Sequence, residues 1–191
     1  MDLSVVIPLY NESESIEELN KWITNTLISE RISFEIIYID DGSSDGSWDI
    51  IKRLANNSDN IKGILFSKNF GKSQALNAGF IECHGTYVAT LDADLQDSPE
   101  EIPEMINKIK KGNLDLISGW KKKRYDSLVF KKIPSKLFNF VARYTSGIKI
   151  HDFNCGIKVY KSDVIKSIDV YGDMHRFIPI IAMNEGYNKI D

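Results

Sequence analysis

The chain has 191 residues, 42% hydrophobic and 27% charged, with twelve Gly and five Pro. That is a globular composition, long enough for one sizeable core, and it excludes disorder and collagen-like repeats. The formal net charge is −3, from 24 Lys and Arg against 27 Asp and Glu, so no global field argues for nucleic acid and any charge-driven binding must be local.

The opening, Met1-Asp2-Leu3-Ser4-Val5-Val6-Ile7-Pro8, carries no cationic stretch ahead of its short apolar run and is not read as a signal peptide. No run approaches the roughly 20 apolar residues a spanning helix needs. Cys83 and Cys155 have neither metal-ligand spacing nor a disulfide framework and are expected to be buried thiols in a reducing compartment.

Val5-Val6-Ile7 begins a series of short β-rich runs that continues with Glu35-Ile36-Ile37-Tyr38-Ile39, Gly63-Ile64-Leu65-Phe66, Tyr87-Val88-Ala89-Thr90-Leu91 and Leu114-Asp115-Leu116-Ile117. Mostly apolar runs of this length are expected of strands buried on both faces. Helical periods separate them. The first places Ile16, Leu19, Ile23 and Leu27 on one face, and others begin near Asp45, Gly71 and Pro99. The last is expected to start at an N-cap, Ser98, followed by Pro99 and two acids. This alternation predicts an α/β fold with a mostly parallel central sheet, right-handed crossovers and helices on both faces. Gly186-Tyr187-Asn188-Lys189-Ile190-Asp191 reads as the start of another strand without a closing element, as if the chain were cut short.

Sheets of this kind bind ligands beyond the carboxyl ends of their strands. The first strand leads into Pro8-Leu9-Tyr10-Asn11-Glu12, which is not the Gly-x-Gly-x-x-Gly turn of a dinucleotide site. Gly71-Lys72-Ser73 lacks the preceding glycine of a phosphate-cradling loop, which argues against an ATPase. The second strand ends in Asp40-Asp41-Gly42-Ser43-Ser44-Asp45-Gly46 and the fourth in Asp92-Ala93-Asp94-Leu95-Gln96-Asp97. Two acidic clusters at one sheet edge need a cation or hydrogen-bond donors to offset them, and a divalent metal is the natural candidate. Residues i and i+2 of an extended chain point to one side, so Asp92 and Asp94 can share a task. Their hard oxygens favour Mg²⁺ or Mn²⁺. For Asp45, Asp97 and Ser98 the preferred reading is turn formation and helix capping.

Seven cations (Lys121, Lys122, Lys123, Arg124, Lys131, Lys132, Lys136) stand against one acid, Asp126, in residues 121–136. A helical pattern follows, with Leu137, Phe138, Val141 and Tyr144 on one side. A basic stretch joined to an amphipathic helix suits a membrane surface; the competing reading is a solvated loop leading into a core helix. Arg176 can offer a guanidinium fork to phosphate oxygens or make a surface ion pair. His84 and His151 have no metal-ligand spacing and are read as structural or solvent-facing.

With Val6-Ile7-Pro8-Leu9-Tyr10-Asn11-Glu12, the two acidic strand ends and Asn69-Phe70-Gly71-Lys72 all in order, the chain resembles family-2 glycosyltransferases of GT-A fold over nearly its whole length. Asp94-Leu95-Gln96-Asp97, Gly119-Trp120-Lys121-Lys122-Lys123-Arg124 and His151-Asp152-Phe153-Asn154-Cys155-Gly156-Ile157-Lys158 point within that family to polyprenyl-phosphate glycosyltransferases. The resemblance implies that residues 1–191 are a single GT-A catalytic domain. It further implies that Pro8, Tyr10 and Glu12 line a nucleotide pocket, that Asp41 meets the base, and that Asp92, Asp94 and Gln96 attend the metal and the sugar diphosphate. The acceptor loop would fall on the basic segment, where Lys121, Lys122, Lys123 and Arg124 could bring a lipid phosphate to the donor, and Arg176 would reach the donor diphosphate. Asp152 stands where the family carries its catalytic carboxylate; the alternative is a turn capped with Asn154 and Gly156.

The implied activity is inverting transfer of a sugar from a UDP- or GDP-sugar to undecaprenyl or dolichyl phosphate, with Mg²⁺ or Mn²⁺, at the cytoplasmic face of a membrane. A phosphate oxyanion is already a competent nucleophile, so no strong general base is required. Two alternatives stay open: a family-2 enzyme using a saccharide hydroxyl in surface-polysaccharide synthesis, and a nucleotide-sugar binding module without catalysis. The sugar and the oligomeric state are not legible, and the subgroup leads one to expect interfacial helices and membrane spans beyond Asp191.

Overall fold

The computed structural model describes residues 1–120, 150 and 152–191. Among them β1 (Leu3–Leu9), β2 (Phe34–Asp40), β3 (Ile61–Leu65) and β4 (Tyr87–Thr90) alternate with α1 (Ile16–Ser29), α2 (Ser47–Asn56), α3 (Lys72–Ile81) and α4 (Glu101–Gly112). β5 (Leu116–Ser118) comes next, and β6 (Lys158–Lys161), α5 (Ser162–Lys166), a 3-10 turn (Met174–Phe177) and α6 (Ile178–Asn184) complete the described elements.

The strands form one sheet in the order β3-β2-β1-β4-β6-β5. β1 pairs in parallel with β2 and β4, and β2 with β3. β6, absent from the expected strands, runs antiparallel to both β4 and β5. The crossover from β4 through α4 to β5 leaves a gap one strand wide, and β6 fills it on its return.

Period-2 alternation explains why these strands are apolar on both sides. Leu3, Val5 and Ile7 of β1 pack with Ile16, Leu19, Ile23 and Leu27 of α1, whereas Val6 packs with Leu76 and Phe80 of α3 on the other face. The α1 residues recur at helical spacing and are all fully buried, each burial stabilising by about 1.5–3 kcal/mol. Gly79 lets α3 lie close on the sheet: a Cβ there would stand 2.5 Å from Val6 Cγ1 and 2.8 Å from Ile39 Cδ1. That approach sets the first turn of α3 beside the carboxyl ends of β1 and β4.

One local expectation changes and another holds. Ser98 is not the N-cap of α4; the cap position is Glu100, with no side-chain cap, and Ser98 contributes its carbonyl oxygen to the Glu101 N–H at 3.2 Å. A tight turn, not a hydroxyl, starts the helix. At the far end, residues 189–191 run beside β5, where the sequence reads as the start of another strand: the Asp115 N–H donates to Lys189 O and the Ser118 N–H to Asp191 O, both at 2.7 Å.

At the amino ends of the strands, buried Glu35 accepts from the Ser4 hydroxyl and the His84 N–H, each at 2.7 Å, and pairs with Lys62 at 3.1 Å. His84 therefore has a structural place. Both cysteines are buried and free, and burial pushes the Cys155 thiol up to about 11. No helix among the described residues is long and apolar enough to cross a membrane.

Candidate active site

The loops after β1 and β2 are laced to each other. The Asn11 N–H donates to Ser43 Oγ (2.8 Å), the Glu12 N–H to Ser47 Oγ (3.0 Å) and the Ser13 N–H to Asp45 Oδ2 (2.9 Å), while the Ser44 N–H returns to Asn11 Oδ1 (2.9 Å). Asn11 reaches this geometry at φ +56°, a left-handed conformation that Asn tolerates better than most residues. Asp45 is exposed, and hydrogen bonds from Ser47 and Ser13 outweigh the slight desolvation it meets and hold the carboxyl well below its usual range. Asp45 is thus the turn-former the sequence suggests.

Asp41, buried at the end of β2, accepts from the Phe70 N–H (2.7 Å) and the Gly71 N–H (2.9 Å). Gly42 makes room for that loop: at φ +78° it adopts a left-handed turn, and a Cβ would stand 2.6 Å from the Lys68 carbonyl carbon. One carboxylate thereby fastens the segment leading into α3.

A cavity of about 340 Å³ opens above these strand ends, lined by Pro8, Tyr10, Glu12, Asp41, Lys72, Asp92 and Asp94 among others. Six of these seven are residues the sequence singles out for the nucleotide and metal; the seventh is Lys72. Its ammonium is ion-paired with Asp92. Asp92 and Asp94 stand past the end of β4 rather than in the strand itself, Asp94 within a bend, and both still line the cavity. Gln96 is exposed and lines neither cavity described here; its N–H donates to Asp94 Oδ1 at 3.1 Å.

The donor set fits a small divalent cation. Two carboxylates converge on open space, and among the described residues no cluster of three or more acidic, His or Cys groups could cage an ion. Mg²⁺ and Mn²⁺ characteristically take one or two carboxylates and complete their shell with phosphate oxygens and water.

A second cavity of about 270 Å³ shares Pro8, Lys72 and Asp92 with the first. Its other walls include Asn154, Gly156, Lys158, His175 and Arg176. Gly156 lies against the Asp92 carboxylate, where a Cβ would stand 2.6 Å from Asp92 Cγ, and against the buried carboxylate of Asp97. Asp97 is therefore packed beside the site, not spent on capping α4. Arg176 sits at this second cavity. Asp152 is 5% exposed and lines neither cavity; its Oδ1 accepts from the Asn154 N–H at 3.0 Å, and its carbonyl accepts from Ser118 Oγ at 3.1 Å.

Lys121, Lys122, Lys123, Arg124, His151 and the amphipathic pattern after Pro134 lie outside the described residues. Sequence reasoning gave no role to Lys158, a buried lysine whose ammonium donates to Cys155 O. Its signal was available: Ile157-Lys158-Val159-Tyr160 is a β-rich run with one charge in it.

A family model described as Glycosyl transferase family 2 matches residues 4–169. Dodecaprenyl-phosphate galacturonate synthase of Rhizobium johnstonii is 36% identical over 180 residues, covering 94% of this chain and 53% of that protein. Undecaprenyl-phosphate 4-deoxy-4-formamido-L-arabinose transferase of Salmonella choleraesuis is 39% identical over 181 residues, covering 94% and 55%. The chain thus spans about half the length of the curated relatives it matches. Among solved structures, glucosyl-3-phosphoglycerate synthase of Mycobacterium tuberculosis in complex with Mn²⁺ and UDP-glucose superposes with a TM-score of 0.75 at 19% identity, over 99% of this chain and 67% of that one. That likeness is one of fold, and it agrees with the GT-A architecture expected above.

Proposed function

The chain belongs to glycosyl transferase family 2, and on that footing we propose that it transfers a sugar, with inversion, from a UDP- or GDP-sugar to a polyprenyl phosphate at a membrane surface. The observation that carries this reading is the convergence of Asp92, Asp94 and Lys72 on one cavity that Pro8, Tyr10 and Glu12 also line. Two curated relatives are named for sugar transfer on dodecaprenyl and undecaprenyl phosphate, which favours a lipid phosphate as acceptor.

In this reading the nucleoside lies between Tyr10 and Asp41, and the diphosphate lies toward Lys72 and Asp92. Asp92 and Asp94 would hold Mg²⁺ or Mn²⁺, which supplies positive charge to the leaving diphosphate as the sugar bond breaks. Lys72 adds a fixed cation on the same wall. The acceptor phosphate needs no deprotonation, and the burial of Asp152 in its own turn with Asn154 suits a role in orientation better than one in proton removal. Lys121, Lys122, Lys123 and Arg124 are proposed to bring the lipid phosphate in.

The test is turnover of UDP- and GDP-sugars with undecaprenyl phosphate. We expect dependence on Mg²⁺ or Mn²⁺ and a loss of about 100-fold or more in Asp94→Ala, the scale of one transition-state charge contact. Full activity in EDTA together with a fully active Asp94→Ala enzyme would overturn the proposal.

A further inference from the structure

We propose that Ser73 is a positioning residue for the donor diphosphate: through His175 it holds Arg176 at the cavity that Lys72 also lines. Residues 168–171 form no helix or strand, so the backbone N–H groups of the segment they open need acceptors from elsewhere. Side chains of α3 supply them. The Val170 N–H donates to Asn77 Oδ1 (3.3 Å), the Gly172 N–H to the Gln74 amide oxygen (3.2 Å) and the His175 N–H to Ser73 Oγ (3.0 Å). Ser73 and Asn77 stand one turn apart on one face of the helix, with Gln74 next to them.

Ser73 makes two contacts with one residue. Its hydroxyl has one hydrogen and two lone pairs; it accepts from the His175 backbone and stands 3.1 Å from the ring Nδ1. Burial, and then the field of Lys72, Arg176 and Lys158, push His175 down to about 4, so near neutral pH the ring is uncharged and its Nδ1 can take the hydroxyl hydrogen. Backbone and ring of His175 are thus both held directly before Arg176. Ser73 itself is 0% exposed and lines neither cavity, whereas Lys72, His175 and Arg176 all line the second. It acts through His175 and not on the ligand.

Charge explains why such an anchor is needed. Lys72 and Arg176 both act on the His175 ring, and like charges repel, so neither cation holds the other in place. Ile168, Val170 and Ile178 pack with Leu76 and Phe80 and bring the segment onto α3, but apolar burial is non-directional. The hydrogen bonds set where the backbone before Arg176 lies. That Arg176 meets a diphosphate rests on the transferase reading; the clasp between Ser73 and His175 does not.

Calorimetry with UDP, GDP, UMP and GMP, Mn²⁺ present, on the wild type, Ser73→Ala, Arg176→Gln and the double variant tests this role. We expect Arg176→Gln to weaken the diphosphate that binds by about tenfold or more, the scale of one charge-assisted contact, and Ser73→Ala to weaken it by about fivefold. The matching monophosphate should stay within about twofold of the wild type in both. The double variant should bind no more weakly than Arg176→Gln, because an arginine already removed cannot be misplaced. A merely structural Ser73 would weaken monophosphate and diphosphate alike, and its loss would multiply with that of Arg176→Gln; either result overturns the proposal. So does unchanged diphosphate affinity in either single variant, or a wild type that binds neither diphosphate. Should Ser73→Ala not fold, Gln74→Ala, at a half-buried site, takes its place with the same expected pattern. The expected coupled loss, alongside a wild type that transfers no sugar to undecaprenyl phosphate, would support the positioning role and count against the transferase reading alone.

Discussion

The Lys72 ammonium, in the first turn of α3, is ion-paired with the Asp92 carboxylate just past β4, and the pair stands on the wall shared by both cavities. A cation already occupying one carboxylate oxygen competes with a metal for Asp92 and adds to the attraction for a diphosphate. Lys72→Met should therefore bind Mn²⁺ more tightly in the absence of nucleotide, yet bind UDP or GDP about tenfold more weakly, the worth of one charge-assisted contact. Mn²⁺ titration followed by electron paramagnetic resonance, with calorimetry for the nucleotide, reads both. Weaker Mn²⁺ binding in the variant would contradict this account.

Asp41 holds two backbone N–H groups of the segment before α3. Asp41→Ala leaves both without their acceptor and should cost about 1–3 kcal/mol in urea unfolding. Asp41→Asn keeps one acceptor oxygen and should fall between the two. Nucleotide affinity should drop in the same order, because Asn69 and Gly71 of that segment line the first cavity.

Gly156 is bare because the carboxylates of Asp92 and Asp97 crowd it. In Gly156→Ala the new methyl must push Asp92 aside. Turnover should fall about 100-fold, the usual result of displacing a reacting-site group by about 1 Å, with a stability loss of about 1–3 kcal/mol from overpacking. An active variant, in a steady-state assay on folded protein, would mean that Asp92 tolerates displacement.

His175 links stability to pH. Its ring Nδ1 stands 3.1 Å from Ser73 Oγ, and its folded value is pushed from 6.5 down to about 4, mainly by burial. Between those values the unfolded chain binds a proton that the folded chain refuses, so stability is fully present above about 6.5 and is lost as pH falls toward 4. Urea midpoints at pH 7 and pH 5 should converge in His175→Gln relative to the wild type; an equal acid loss in both would assign the effect to other groups.

Asp152→Asn preserves an oxygen able to accept from the Asn154 N–H, so the turn should survive. Activity toward a polyprenyl phosphate should then fall less than about tenfold, because no proton has to be removed. A collapse to near zero with an unchanged thermal melt would give Asp152 the base role of a hydroxyl-acceptor enzyme.

Much of the site was readable because strands buried on both faces announce themselves as apolar runs, and the residues following them must lie at one edge of the sheet. Asp92 and Asp94 were found this way, Pro8, Tyr10, Glu12 and Asp41 were assigned through the family resemblance, and all six line one cavity. Gln96 follows the same strand, but Leu95 at φ +60° turns the chain and Gln96 lies outside both cavities. Asp97 illustrates the limit from the other side. Its neighbours Ser98 and Pro99 suggest a helix start, and only packing against Gly156 shows that its carboxylate is buried at the site.

What the sequence determined by itself was periodicity and local chemistry: the first five strands and the helices between them, which strand ends carry acids, and where the cations cluster. Those properties depend on residues close together along the chain. Tertiary structure decided what depends on distant segments meeting. It inserted β6 antiparallel between β4 and β5, brought Lys72 to Asp92 across 20 residues, and buried Lys158 beside His175 and Arg176 at a second cavity. No local pattern encodes those encounters, because each is fixed by how helices and strands pack on one shared sheet.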